Sequence, residues 1–279
     1  MATHSHNEDI QNLQTALRQD ARGTRMSTTP NQTPSKDLAF FRTTITAMAI
    51  VEIAGFVIQL AMGRSSFGAP LIVHLHAVVF MGWVAILVTQ AWLAAGGGVR
   101  LHRALGGLAV IWMLAMSVLG PLVTIASART GRVPFFFQPQ HFVIANPVTL
   151  LGAVGLFVAA VVLRKNREWH PRLQVGSFMM LMGPGVGRII PMPFLKPYAF
   201  EIATGLAVIV PLIGIVRDWR VRGRPHPAWF WAIGVLVATL VVARVVALSP
   251  AGEAIFAAAT AGSPAAHTDG LVYPKPPPL

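Results

Sequence analysis

The stretch LIVHLHAVVFMGWVAILVTQ, residues 71–90, decides the fold class of this chain. Its twenty residues include no acidic or basic side chain other than histidine, and about twenty apolar residues in a helix cross the roughly 30 Å hydrocarbon core of a bilayer. Its two histidines, His74 and His76, are costly to bury in hydrocarbon unless each is ligated or hydrogen-bonded. The stretch therefore predicts a membrane-spanning helix whose histidines need partners.

The composition extends this prediction to the whole chain. Of the 279 residues, 54% are hydrophobic and only 11% are charged, whereas a soluble domain carries roughly a quarter charged residues. The formal net charge of +12 is spread over short segments between apolar runs, as topology-setting charges are, so we predict a lipid bilayer and no nucleic acid as partner. Because the chain has no cysteine, disulfides, thiolate metal sites and cysteine nucleophiles are excluded.

We predict an all-α, polytopic membrane bundle of seven transmembrane helices in a domain of residues 39–248. Short polar or Pro/Gly-bearing links separate the apolar runs, and three prolines in PMPFLKP separate the fifth span from the sixth. GPGVG in the fifth span lies in hydrocarbon without a following Lys-Ser/Thr, which indicates a packing or kink element rather than a phosphate loop. The predicted spans are 39–62, 70–95, 104–126, 141–163, 172–194, 198–216 and 228–248.

The two tails and the basic residues give the expected orientation. Residues 1–38 are polar and lack the apolar core of a signal peptide, which predicts a disordered tail, with Met26 as an alternative start. Residues 249–279 are rich in proline and are also predicted to be disordered. Fifteen of the 22 basic residues fall in the N-terminal tail and in the links after spans two, four and six. The N-terminus is therefore expected in the cytoplasm and the C-terminus outside, in a bacterial inner membrane.

On this topology, four histidines form two pairs. His76 and His141 lie at the outer ends of spans two and four, whereas His102 and His170 lie at the inner starts of spans three and five. His74 and His76 point about 200° apart on a helix, so only one of them faces the interior. Because Trp83 and Gln90 share the face of His76, His76 is the expected interior residue and His74 is expected at the headgroups.

The first interpretation of these pairs is a b-type cytochrome with two haems. Bis-histidine ligation needs one imidazole on each side of a porphyrin, from facing helices of a bundle, and each pair supplies that. Arg100, Arg103 and Arg172 are candidates to neutralise the inner haem propionates. Haem b is thus the predicted cofactor, and a redox partner or quinone the predicted partner, of an electron carrier across the membrane.

Two resemblances accompany this interpretation. The alternation of histidines between helices two/four and three/five, over residues 70–195, resembles the transmembrane ascorbate-dependent di-haem cytochromes b, which implies electron transfer through two haems. The segments HLHAVVFMGW, LHRALGGL and REWHPRLQVGSFMMLMGPGVGRI also resemble an uncharacterised family of bacterial multi-pass membrane proteins. The second resemblance implies fold and location, but no chemistry.

A second interpretation places a membrane enzyme with a metal site at the external side. Imidazole and carboxylate ligands suit zinc, copper or non-haem iron. Lone charges inside a membrane also need partners, and the simplest arrangement is a cluster of Arg188, Glu201 and Arg244, with Glu52 protonated or paired with a histidine. The candidate metal ligands are His74, His76, His141, Glu52 and Glu201.

A third interpretation is a transporter or a factor that assembles a respiratory complex, without catalysis. Four spans contain a proline, and broken helices line sites in transporters. In a purely structural alternative, His102 and His170 anchor inner helix ends in the headgroups. The residues leave these alternatives open, and whether the chain is an enzyme stays undecided. The prolines are Pro121, Pro147, Pro184 and Pro211.

Overall fold

A computed structural model describes residues 34–63 and 68–276. Within these ranges the chain is helical or irregular and contains no strand. The compact unit begins at Leu38. The all-helical class predicted from the sequence is therefore confirmed, whereas most of the predicted N-terminal tail, including Met26, lies outside the described residues.

Ten α-helices, numbered in chain order, build the described part of the chain. Three short 3₁₀ turns accompany them, at Met192–Leu195, Leu206–Val208 and Pro264–His267. The α-helices are α1 Pro34–Ala61, α2 Leu71–Ala95, α3 Val99–Arg129, α4 Pro139–Val162, α5 Trp169–Met180, α6 Gly183–Ile189, α7 Ala199–Gly205, α8 Ile209–Arg222, α9 Pro227–Ala247 and α10 Pro250–Thr260.

Six segments of the described chain are helical, long and apolar enough to cross a membrane. They are α1 to α4, the continuous stretch Ala199–Arg222 formed by α7 and α8, and α9. Large apolar side chains such as Leu71 and Val78 face outward on α2, as expected where lipid is the solvent. These helices support an integral, multi-pass membrane protein, and six of the seven predicted spans are present as long helices.

The predicted span 172–194 is not a single helix. This segment forms two helices, α5 and α6, separated at Leu181–Met182. The interruption has a local cause, because Pro184 in the first turn of α6 has no N–H to donate and the flanking glycines are poor helix formers. The glycines also allow close packing, since a Cβ atom on Gly55 of α1 would overlap with the carbonyl of Gly185. GPGVG thus acts as the expected kink and packing element.

The prediction of a disordered C-terminal tail from residue 249 is also wrong over its described part. Ser249 caps α10, with its hydroxyl oxygen 3.4 Å from the N–H of Gly252. Phe256 of α10 is buried in a small apolar cluster with Val133 and Val143. The proline content of the tail predicted disorder, whereas the burial of Phe256 on one face of α10 orders this part of it.

Helix α4 is the centre of the bundle and defines its two ends. It packs against α3, α5, α9 and α10. Half of the most apolar stretch of α4 is buried within the protein, compared with 22% of that of α2. We call the end that contains the α2–α3, α4–α5 and α8–α9 links the basic end. The opposite end contains the α3–α4 link and α10. Each functional candidate lies near one of these two ends or on the buried face of α1.

Candidate functional site

The basic end brings His102 and His170 together. His102 lies in the first turn of α3 and His170 in the first turn of α5. Their ring centres are 6.3 Å apart, and the ring planes are nearly perpendicular, at 88°. The structure therefore places the predicted inner pair side by side, although the two residues are 68 positions apart in the chain.

Each of these two rings is fixed by a backbone carbonyl of a neighbouring helix. Nδ1 of His102 lies 3.2 Å from the carbonyl oxygen of Gln90 on α2, and Nδ1 of His170 lies 2.8 Å from that of Ala160 on α4. A carbonyl only accepts hydrogen bonds, so Nδ1 must carry the proton in both rings. In the neutral rings, Nε2 is then the atom with a free lone pair.

Two buried amide oxygens without protein partners belong to residues of the same region. Oε1 of Gln90 and Oε1 of Gln174 have no hydrogen-bond partner among the described residues. Gln174 lies one turn after His170, and Gln90 is the residue whose carbonyl fixes His102. An unpartnered buried polar atom costs about 1–3 kcal/mol. The histidine pair is thus accompanied by polar groups that the protein alone does not satisfy.

Of the three arginines predicted at the inner propionates, Arg172 is engaged in other contacts. Its side chain is fully buried, and its guanidinium donates to the two carboxylate oxygens of Asp218 at 2.9 and 2.7 Å. It also donates to the carbonyl of Glu168 at 2.7 Å. These bonds leave Arg172 committed to a structural pair, whereas Arg100 and Arg103 are exposed in the first turn of α3.

Sequence analysis missed Asp218, the centre of this structural pair. Besides Arg172, the indole N–H of Trp229 donates to Asp218 at 2.8 Å, and Arg217 and Arg222 lie 3.6 and 3.8 Å from it. The available signal was the scarcity of acidic residues, since an aspartate among four basic residues at 217–224 is out of place on a solvated face. Asp218 therefore joins α5, α8 and α9 at the basic end.

The predicted outer pair is arranged differently. The ring of His76 packs on Phe80, with ring centres 4.0 Å apart, and its Nδ1 is buried without a partner. The ring of His141 packs on Phe200, and its Nε2 lies 3.5 Å from Oε1 of Glu201. No ring contact in the described part of the chain joins His76 to His141. The two rings thus have separate surroundings, and His74, two residues before His76 on α2, is half-buried.

The five candidate ligands of the external metal interpretation are not gathered. Within residues 34–63 and 68–276, no three His, Asp or Glu side chains form a group able to hold a metal ion. Glu52 is instead buried on α1, where its Oε2 accepts a hydrogen bond of 3.1 Å from the N–H of Gly185. Only His141 and Glu201 of the five are brought together.

The expected cluster of Arg188, Glu201 and Arg244 is formed only in part. Arg244 lies 3.4 Å from Oε1 of Glu201, as expected. Arg188 instead packs over the ring of Phe56, 4.0 Å from its centre, and donates to the carbonyl of Pro184. The break between α5 and α6 turns Arg188 toward α1, which separates it from the other two charges.

Comparison with known proteins identifies no relative of this chain. No family model matches it, and neither the curated proteins nor the solved structures contain a match. Both resemblances drawn from the sequence therefore stay predictions, and a functional conclusion depends on the geometry of the histidines.

Proposed function

We propose that this protein is a membrane electron carrier that holds one b-type haem at its basic end, with His102 and His170 as axial ligands. The single observation that carries the proposal is the perpendicular ring pair at 6.3 Å, with both Nδ1 atoms on backbone carbonyls. The proposal retains the inner haem of the sequence prediction.

The ring spacing fits two imidazoles on one metal. Imidazole nitrogen binds first-row metals at about 2.0–2.1 Å, and the ring centre lies about 1.1 Å behind the nitrogen, so coaxial ligands have ring centres about 6.4 Å apart. The observed 6.3 Å agrees with this value. Perpendicular planes are compatible with it, because each ring can rotate about its own metal–nitrogen axis.

The hydrogen bonds fit as well. Histidines that ligate metals donate their other ring N–H to a carbonyl or carboxylate, which fixes the tautomer and the ring orientation. The carbonyls of Gln90 and Ala160 supply this to both rings. A pair of headgroup anchors requires no such matched arrangement, which favours ligation over the structural alternative.

The frame around the pair suits a flat group. Helices α3 and α5 each pack on α4, but they do not pack closely on each other. Gly106, one turn after His102, has no side chain to fill the space near Gln90. Cofactor sites in helix bundles lie between such helices, and Arg100 and Arg103 remain available to pair with propionates at the exposed rim.

In this site, a haem iron with two imidazoles would supply reversible one-electron transfer. The protein's part is to hold both rings at fixed spacing, to keep Nδ1 protonated and Nε2 free, and to exclude water with the buried faces of α2 to α5. Because His102 and His170 would both bind the iron, the chemistry that the site would support is electron transfer rather than oxygen or substrate binding. A redox partner or quinone is the corresponding electron donor or acceptor.

The outer haem of the sequence prediction is not part of this proposal. Nε2 of His141 faces the carboxylate of Glu201 at 3.5 Å, and His76 packs on Phe80. The matched features of the inner pair have no equivalent there.

We further infer that the basic end faces the cytoplasm of a bacterial cell and that the broken α5–α6 segment is the seventh crossing. Of the basic residues in the links between spans, ten fall at the basic end and four at the opposite end, which favours the cytoplasmic side for the basic end. Helix α5 begins beside Ala160 at the basic end, whereas Glu201 reaches His141 at the opposite end. On this inference the chain between them crosses the membrane, and seven crossings leave the N-terminus in the cytoplasm and the C-terminus outside.

An absorption spectrum tests the haem proposal. The full chain, purified in detergent after expression with added haem precursor, is expected to show sharp α and Soret bands in the reduced-minus-oxidised spectrum. His102→Ala and His170→Ala are each expected to abolish these bands, whereas His267→Ala, an exposed histidine at the opposite end, leaves them unchanged. A colourless protein, or bands that survive in both ligand variants, would overturn the proposal.

One observation favours a transporter as the second candidate. The interruption between α5 and α6 meets the 3₁₀ interruption between α7 and α8, since a Cβ atom on Gly183 would lie 2.7 Å from Oγ1 of Thr204. Adjoining breaks in two spans, one of which donates a backbone N–H to the buried Glu52 of α1, are typical of transporter sites. A colourless protein whose Glu52→Gln variant loses pH-driven uptake in proteoliposomes would favour this candidate.

A further inference from the structure

The opposite end of the bundle contains a second titratable cluster, which the haem proposal does not use. It consists of His141 on α4, Glu201 on α7 and Arg244 on α9. The imidazole of His141 is 5% exposed and the side chain of Glu201 is 18% exposed. Oε1 of Glu201 lies 3.5 Å from Nε2 of His141 and 3.4 Å from Nη1 of Arg244. Three helices that are distant in sequence thus converge on one carboxylate.

Two polar atoms of this cluster have no protein partner. Nε2 of His141 and Oε2 of Glu201 are both buried and unpartnered within the described chain. The 3.5 Å contact between the imidazole and the carboxylate is too long for a good hydrogen bond, and a polar contact of this length in a buried site is where a bridging water is expected. A small hydroxylic molecule bonded to both atoms would satisfy them.

The cluster is enclosed by aromatic rings and by the C-terminal segment. The ring of Phe200 lies against His141, and Phe137 lies against Phe200. The carbonyl of Gly270 accepts a hydrogen bond of 2.8 Å from the N–H of Gln140, next to His141 in the chain. The segment that the sequence predicted to be disordered therefore covers this end of the bundle.

The charged and titratable groups around the cluster are few. Arg244 on α9 faces Glu201 directly and also donates to the carbonyl of Pro197 at 3.2 Å. Tyr198, just before α7, lies under the guanidinium of Arg244. Farther out, the ammonium of Lys196 packs over the ring of Tyr273 in the C-terminal segment. Arg244 balances an ionised Glu201, so one added proton gives the cluster a single positive charge.

We propose that His141 and Glu201 form an enclosed proton-exchange site that holds one water molecule between them and shares one proton with the external solution. The water bonds to Nε2 of His141 and to Oε2 of Glu201, the two atoms that need a partner. The proton moves between the carboxylate, the water and the imidazole, and no bond other than O–H or N–H is formed or broken. This site stands independently of the haem, because it lies at the opposite end of the bundle.

Infrared difference spectroscopy of the full chain in detergent tests this site. On acidification, the protein is expected to gain the carbonyl band of a protonated carboxylic acid, and Glu201→Gln is expected to remove that band. Glu253→Gln is the matched control, since Glu253 is exposed on α10 at the same end, and it leaves the band in place. His141→Asn is expected to displace the pH dependence of the band, because it removes the second proton acceptor.

A carboxylate locked permanently to Arg244 would show no such band at any pH at which the protein is folded, and this result overturns the proposal. A band that survives in Glu201→Gln overturns it equally. If Glu201→Gln does not fold, Glu201→Asp replaces it. The shorter side chain keeps a carboxyl group but draws it away from the water, so the band must change frequency, and an unchanged frequency refutes the assignment. None of these readouts requires bound haem.

Discussion

The buried pair of Arg172 and Asp218 allows the most direct test of how the basic end is held together. Arg172 is fully buried and the side chain of Asp218 is 1% exposed. Asp218 accepts two hydrogen bonds from Arg172 and one from the indole of Trp229. Asp218→Asn keeps the shape of the side chain and removes its negative charge, which leaves the guanidinium of Arg172 buried opposite a neutral amide.

The structure indicates the size and the order of the effects. Removal of one partner of a buried ion pair costs about 3–5 kcal/mol, and Arg217 and Arg222, at 3.6 and 3.8 Å, also face Asp218. We therefore expect Asp218→Asn to lower the free energy of unfolding by about 3–5 kcal/mol. Arg172→Met is expected to cost less, about 1–3 kcal/mol, because Asp218 keeps two arginines and Trp229. The double variant should cost less than the sum of the two.

The assay is unfolding of the full chain in mixed micelles with increasing SDS, followed by tryptophan fluorescence. Arg220→Gln, an exposed arginine on the same helix, is the control and should change the unfolding free energy little. The reasoning is refuted if Asp218→Asn is within about 1 kcal/mol of the wild type, or if the two single costs simply add. If Arg172→Met instead alters a haem spectrum at unchanged stability, Arg172 has the propionate role that the sequence predicted.

Three further perturbations test other parts of the structure. Burial lowers the pKa of His226 below its ordinary value of 6.5, so the unfolded chain binds more protons at this residue than the folded chain. The free energy of unfolding should therefore fall as the pH drops below 6.5, and His226→Gln should make this fall smaller in unfolding measured as a function of pH. Gly55→Ala should cost about 1–3 kcal/mol through overlap with α6, whereas Gly107→Ala, which meets no atom within 4 Å, should be neutral or stabilising. Phe256→Ala empties a buried position and should cost about 3–5 kcal/mol locally, visible as faster hydrogen exchange in α10 with α1 to α4 unchanged.

Hydropathy was sufficient to predict most of the fold because lipid imposes a local rule. Each backbone polar group in hydrocarbon must be satisfied within its own helix, so apolar runs of about twenty residues identified six spans directly. The rule fails where contacts with neighbouring helices stabilise a broken helix, as contacts with α1 and α7 do for α5 and α6. The glycines and Pro184 were visible in the sequence, but the partner helix that allows the break was not.

The candidate site divides in the same way. The inner pair was predictable because topology alone places the ends of alternate helices at one side of the membrane, and His102 and His170 are indeed in contact there. Which acid meets which arginine depends on packing between distant segments. Such packing pairs Arg172 with Asp218 and places Arg188 against Phe56 of α1, and neither contact was predicted. Likewise, the ordering of residues 250–260 depends on a cluster whose other members lie on α3 and α4.

The interruption at Leu181–Met182 has a consequence for biosynthesis. Neither α5 nor α6 is long enough to cross the hydrocarbon by itself, and together they bring Arg172, Gln174 and Arg188 with them. We expect such a short, charged segment to insert into lipid less readily than a continuous apolar helix does. Because α5 packs on α4 and α9, we expect the α5–α6 segment to enter the bilayer against these two helices, after α9 has been synthesised.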